Sequence, residues 1–210
     1  VHRDLKLADI TGAKLHVPHV STAASIEYIR EMKSTNNNIS AEVTPHHLFF
    51  NDTSLYNYDT NLKVAPPIRS DISRKALIKG VLDGTIDCIA TDHAPHALHD
   101  KETTFDLASF GMIGLESCFG IVKKILVDEE GLGLIDFVKL LTVSPRKIMG
   151  FDYDLLSKGK EAEVVLFDSN KIWTFEKNNV FSRSINSPFY GQSLSGKVKY
   201  TISKGYISQI

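Results

Sequence analysis

The chain has no apolar run long enough to cross a bilayer, no visible signal peptide, two cysteines and almost no net charge. The missing apolar run excludes a helical membrane span. A formal charge of -1 gives nucleic acid or an anionic membrane surface nothing to be drawn to. Cys88 and Cys118 stand in apolar surroundings and make neither a metal nor a redox spacing. They are expected to be buried thiols in a reducing compartment, which places the chain in the cytoplasm. No histidine follows His99, so whatever imidazole chemistry the chain performs belongs to its first half. What remains is an ordinary globular composition, 42% hydrophobic and 23% charged, over 210 residues, enough for one large domain or two small ones.

The most informative stretch is Ile89-Ala90-Thr91-Asp92-His93-Ala94-Pro95-His96. A short apolar run ends abruptly in an acid and two imidazoles, as a buried strand does when it carries a reactive group at its C-terminal tip. Pro95 stops the strand and turns the chain, so Asp92 and His96 lie around one corner. A carboxylate there can hold a cation, take a proton, or do both in turn. The competing reading is an Asp and a His that merely cap a turn.

Upstream, the pattern repeats. A helix tail over Arg3 to Ile10 closes at Thr11-Gly12, and a strand from Lys14 to Val20 carries His19 near its end. Ser21 or Thr22 caps a helix with Ile26, Ile29 and Met32 on one stripe. A second strand, Ile39 to Val43, ends at Thr44-Pro45-His46-His47, and a further helix closes at Gly84 before the Asp92 strand. Strand, helix, strand, helix, strand with polar tips means parallel strands, right-handed crossovers and a site at the C-terminal edge. Histidines on several tips favour a (β/α) barrel, where all tips meet at one mouth. Residues 97–110 are expected to be a loop pinned by Phe105 and Phe110, followed by helices ending at Gly150. After Asp152 the texture becomes short strands and turns, giving an expected division into a barrel part, 1–152, and a small β domain, 153–210. Packing over an edge, rather than catalysis, is the expected role of that tail.

His19 and Asp92 are residue types that hold zinc, but two ligands are fewer than the three protein ligands of a catalytic zinc. One of His46 and His47 could be a ligand or support one, and a structural hydrogen bond is the competing role. Lys63 and Arg69 could meet an anionic substrate, against the simpler reading of exposed charges beside a turn.

Four runs together resemble the long, bacterial-type dihydroorotase family. They are Leu15-His16-Val17-Pro18-His19-Val20-Ser21-Thr22, Ala41-Glu42-Val43-Thr44-Pro45-His46-His47-Leu48, Lys63-Val64-Ala65-Pro66-Pro67-Ile68-Arg69, and Asp83 through His96. Lys101, Phe105, Ala108, Gly111, Gly114-Leu115-Glu116, Ser187-Pro188-Phe189 and Gly191 continue the likeness in order. The likeness is to the C-terminal half of such an enzyme.

The resemblance implies the C-terminal part of a metal-dependent (β/α)8 TIM barrel of the amidohydrolase type, with a small β domain. It implies a zinc-dependent hydrolase of cyclic amides that interconverts N-carbamoyl-L-aspartate and L-dihydroorotate in pyrimidine biosynthesis. It assigns His19 and Asp92 to one or two divalent ions, Asp92 also to proton transfer, and His96, Phe110 and Gly111 to the substrate. The family's His-x-His pair and its bridging ligand are expected upstream of Val1, and Ala65 stands where the family often has Asn. Because roughly five of eight barrel strands would be missing, the chain is expected to be inactive and poorly stable alone. The implied partner is a small molecule, with no nucleic acid, no membrane, and homo-oligomer formation left open. Two alternatives stand beside this reading: a related amidohydrolase such as an allantoinase or hydantoinase/dihydropyrimidinase, and a non-catalytic homologue acting as a scaffold.

Overall fold

The computed structural model describes residues 1–210. α1 (His2–Thr11) leads into β1 (Leu15–Val17), and α2 (Ala23–Lys33) into β2 (Ile39–Val43). The Thr22 side chain starts α2 by accepting the Ser25 N–H at 3.1 Å. α3 (Pro45–Phe49) begins directly at the end of β2. Thr44 caps it by accepting the His47 N–H, and Pro45 fits the first turn because that N–H would have no helical partner. α4 (Asp71–Leu82) then precedes β3 (Cys88–Ile89).

The three strands pair in parallel in the order β1-β2-β3, with Val17 beside Ala41 and Val43 beside Ile89. One sheet face, Val17, Ile39, Ala41, Val43 and Ile89, is buried in one core with Ile26 and Ile29 of α2 and Leu77, Ile78 and Val81 of α4. Each valine, leucine or isoleucine among them contributes roughly 1.5–3 kcal/mol of burial. The opposite face carries His16, Ser40, Glu42 and Cys88. An isolated parallel bridge between His93 and Met112 continues past the tip of β3, with the Ala94 N–H donating to the Met112 carbonyl at 2.9 Å.

α5 (Leu98–Lys101) lies within the stretch expected to be loop. It is a single turn with no apolar periodicity, which is why only its anchors identify it. Lys101 is buried, and its Nζ donates to the carbonyls of Thr60 at 3.0 Å and Ser109 at 2.6 Å. Desolvation pushes that ammonium down to about 8. Lys63 is also buried, donating to the Asp106 carbonyl at 2.8 Å with its Nζ 4.6 Å from the Phe110 ring centre. Both sequence readings of Lys63 are thereby replaced: it fixes residues 105–110 from below.

α6 (Leu115–Lys123) passes into a wider π-helical turn, Lys124–Glu129, before α7 (Leu134–Leu141) and α8 (Val143–Met149). The second sheet is antiparallel in the order β4-β5-β6: β4 (Val164–Thr174), β5 (Ser193–Ser203) and β6 (Tyr206–Gln209). β4 and β5 run longer than their apolar stretches because they pair on both sides of the polar residues 169–171, which bulge out of the ladder between Asp168, opposite Lys197, and Ile172, opposite Ser195. Phe175, Phe189 and Leu194 from this region belong to the same apolar core as the parallel sheet. β5 sits tight on α6, where a Cβ on Gly120 would lie 2.9 Å from the Leu194 side chain.

The strands therefore make two three-stranded sheets, neither of which closes into a barrel. Closure requires a first strand to pair with a last one, and β1 here has one partner only. No helix is long and apolar enough to cross a membrane.

Candidate active site

The residues singled out from the sequence stand just beyond the C-terminal ends of three neighbouring parallel strands. His19 follows β1 by two residues, His46 follows β2 by three as the second residue of α3, and Asp92 follows β3 by three. The strand register places these ends side by side. The Val20 N–H donates to the Glu42 carbonyl at 2.9 Å, and the Ala90 N–H to the Val43 carbonyl at 3.1 Å.

His19 and Asp92 both have left-handed backbones, with φ of 36° and 49°. Such values are uncommon outside glycine and persist where surrounding structure imposes them, commonly at functional sites. His19 is half-buried and Asp92 is exposed. His19 lines a concave pocket of about 310 Å³ with His16, Ser21 and Pro66, and Asp92 is not among its walls.

His46 and His47 are buried, with ring centres 4.5 Å apart. His47 is fully engaged: its Nδ1 lies 2.7 Å from Thr44 Oγ1 and its Nε2 lies 2.9 Å from the Pro66 carbonyl. A carbonyl only accepts, so Nε2 carries the proton and Nδ1 receives the threonine hydroxyl. Burial pushes this imidazole down to about 4. His46 differs. Its Nε2 is buried with no hydrogen-bond partner, and burial, reinforced by nearby His47 and His19, holds the ring well below its ordinary value. A neutral imidazole with an unpaired buried nitrogen is what a metal ligand looks like without its ion. His46 thus has the donor chemistry of a divalent-cation ligand, while the ligand atoms of His19, His46 and Asp92 do not gather as a group of three within 4.8 Å. The signal for His46 in the sequence was its place directly after a strand and Thr-Pro; the ambiguity between two adjacent histidines hid it.

One group of three potential ligand atoms lies within 4.8 Å of one another, His16, Glu42 and Cys88, and it includes neither His19 nor Asp92. Both ring nitrogens of His16 are already occupied, by Ser40 Oγ at 2.8 Å and Glu42 Oε2 at 3.1 Å. Desolvation, with Glu42 and Asp87 adding, pushes the Cys88 thiol up to about 12, so it stays protonated. This is a ladder of neighbouring groups across the sheet face, its hydrogen bonds running from His16 to Ser40 and Glu42.

The three residues assigned to substrate come together. His96 Nε2 lies 2.8 Å from the Phe110 carbonyl, and because a carbonyl only accepts, Nε2 donates there. Gly111 has φ 122°, and a Cβ built on it would sit 2.4 Å from the Ala94 Cβ and 3.3 Å from His96 Nε2. Its N–H donates to the Lys63 carbonyl at 2.8 Å. The Phe110–Gly111 backbone is therefore engaged in holding the corner, and the Phe110 side chain is exposed.

Three contributors were missed. His93 Nδ1 accepts the Gly114 N–H at 3.1 Å at the start of α6, and its Nε2 faces Ser182 Oγ at 3.3 Å. Ser182 Oγ donates in turn to Glu116 Oε1 at 2.8 Å. Asn186 bonds to the corner itself. Ser182 and Asn186 come from the C-terminal region, which sequence reading had set aside.

The chain belongs to the Amidohydrolase family, which matches residues 2–207. It is 43% identical over 205 residues to a dihydroorotase of Caldanaerobacter subterraneus subsp. tengcongensis, covering 98% of this chain and 47% of that protein. It is 44% identical to a dihydroorotase of Elusimicrobium minutum, covering 98% of this chain and 48% of that protein. Among solved structures it matches the L-hydantoinase (dihydropyrimidinase) of Arthrobacter aurescens with a TM-score of 0.87 at 26% identity, covering 98% of this chain and 47% of that one. The chain spans about half the length of the curated relatives it matches. The likeness to dihydroorotases read from the motifs is thus present along nearly the whole sequence.

Proposed function

We propose that this chain is part of a metal-dependent dihydroorotase, in which its parallel strands form one arc of a (β/α)8 barrel and the reaction interconverts L-dihydroorotate and N-carbamoyl-L-aspartate. The observation that carries this reading is the placement of His19, His46 and Asp92 on three adjacent strand ends, two with left-handed backbones and one with an unpaired buried nitrogen.

His19, His46 and Asp92 would hold the cation, with further ligands from the remainder of the protein. A divalent ion bound there supplies polarisation of an amide carbonyl and a more acidic water. Asp92, exposed at the strand end, takes a proton from the attacking water and delivers it to the leaving ring nitrogen. A C–O bond forms, the ring C–N bond breaks, and the nitrogen gains the proton, giving the carbamoyl amino acid. His96, fixed by its bond to the Phe110 carbonyl, contacts the substrate. Lys63 and Lys101 hold residues 97–110 beside that corner.

A hydantoinase or dihydropyrimidinase reading is favoured by the fit to the Arthrobacter aurescens structure and by Ala65 at a position where the dihydroorotase pattern often has Asn. The deciding assay is kcat/KM of the complete metal-loaded protein on dihydroorotate, allantoin, hydantoin and dihydropyrimidines in parallel. Dihydroorotate is expected to be the best substrate. A higher value for hydantoin transfers the assignment, and no turnover of any of them leaves the scaffold reading.

A further inference from the structure

We infer that Asn186 is a positioning residue for the cyclic amide, holding apart and in register the two chain segments, 94–96 and 110–111, that carry the substrate-contacting corner. The inference rests on the functional reading above and extends it to the C-terminal region.

Asn186 lies between β4 and β5 and is 5% exposed. Its side chain is spent entirely on the corner. Nδ2 donates to the Ala94 carbonyl at 3.0 Å and the Gly111 carbonyl at 3.3 Å. Oδ1 accepts the His96 N–H at 3.2 Å and lies 2.7 Å from Ser184 Oγ, whose single proton is shared with the neighbouring His96 carbonyl. The backbone carbonyl of Asn186 accepts the Ile113 N–H at 3.0 Å. Both Nδ2 donors are thus used and Oδ1 accepts the His96 N–H, in the one amide orientation that works. The reversed amide would set its oxygen against two carbonyls and its NH2 against an N–H.

No other natural side chain of this size repeats the pattern. Aspartate keeps the shape but replaces both donors with an oxygen facing two carbonyl oxygens, and leucine leaves a buried N–H and two carbonyls unpaired. Because Nδ2 bridges Ala94 and Gly111, it fixes the gap that a Cβ on Gly111 would violate, and with it the direction of the His96 ring. Phe189, three residues on, packs against Phe49 and Phe50 with ring centres 5.5 and 5.0 Å apart, so this segment also braces the helix bearing His46.

The test uses the complete metal-loaded protein, with Asn186→Asp and Asn186→Leu read against wild type and against Tyr190→Phe. Tyr190 donates to the Ile185 carbonyl at 3.0 Å in the same segment without touching the corner. KM for dihydroorotate is expected to rise about tenfold or more in both Asn186 variants while kcat stays within about threefold, the split expected when binding geometry is lost but proton transfer is not. Hydrogen exchange is expected to speed up at 94–96 and 111–113 while the β4–β5 ladder keeps its protection. Tyr190→Phe is expected to lower thermal stability slightly and leave KM unmoved.

If neither Asn186 variant is soluble, Ser184→Ala, which removes the hydroxyl lying between Asn186 Oδ1 and the His96 carbonyl, is expected to raise KM about threefold. A KM within about twofold of wild type in every soluble variant overturns the inference, as does an equal rise in Tyr190→Phe. If wild type prefers hydantoin to dihydroorotate, the dihydroorotase reading falls by itself, and the same KM comparison on hydantoin decides the role of Asn186.

Discussion

Replacing Gly111 with alanine tests the corner most directly, because two separable costs fall on one methyl group. The residue sits at φ 122°, where an L side chain is strained by roughly 1–3 kcal/mol. Its Cβ would also come within 2.4 Å of the Ala94 Cβ, and that neighbour is held by the Asn186 bond and cannot yield cheaply. Forcing a methyl into packed space adds roughly 1–3 kcal/mol more. Gly150 provides the control. It has φ 72° at the end of α8 with nothing within 4 Å of a built Cβ, so alanine there meets only the left-handed penalty of roughly 1–2 kcal/mol. Urea midpoints of the two variants in the complete protein are expected to differ, with Gly111→Ala losing at least about 1 kcal/mol more than Gly150→Ala and also weakening substrate binding. Equal losses from both glycines, or a Gly111→Ala protein with unchanged KM, would show that the corner is not the packed, substrate-facing junction described here.

Three further outcomes are expected. Asp92→Asn keeps the shape and fold but removes the proton acceptor, so turnover is expected to fall by about 10²–10⁴ with unchanged circular dichroism; near-normal rates would remove Asp92 from the chemistry. His46→Gln is expected to lower bound metal at least about tenfold by mass spectrometry or elemental analysis, whereas Cys88→Ser changes nothing; the reverse pattern would move the ion to the His16–Glu42–Cys88 ladder. His47 is held at about 4 when folded and returns to 6.5 when unfolded, so the unfolded chain binds the extra proton between those values. Its contribution to stability is complete above about pH 6.5 and is lost as pH falls toward 4, up to about 3 kcal/mol. Urea midpoints at pH 7.5, 6 and 5 should decline accordingly, and a flat series would contradict the burial of that ring.

The alternation of apolar strands and capped helices determined by itself that β1, β2 and β3 would be parallel with their chemistry at one edge, since period and caps are local properties of the chain. The positions of His19 and Asp92 at strand ends were legible for the same reason, since each interrupts an apolar run in a way that local propensity does not require, whereas Phe110 and Gly111 were singled out only through the likeness to dihydroorotase motifs. Tertiary structure alone decided which of His46 and His47 keeps a free nitrogen, because that depends on Thr44 and the distant Pro66 carbonyl. It also decided that Lys63 and Lys101 are buried anchors, and that an asparagine ninety-two residues beyond Ala94 completes the corner. Hydrogen bonds between segments so far apart leave no periodicity in either one, and only the folded chain brings donor and acceptor within reach.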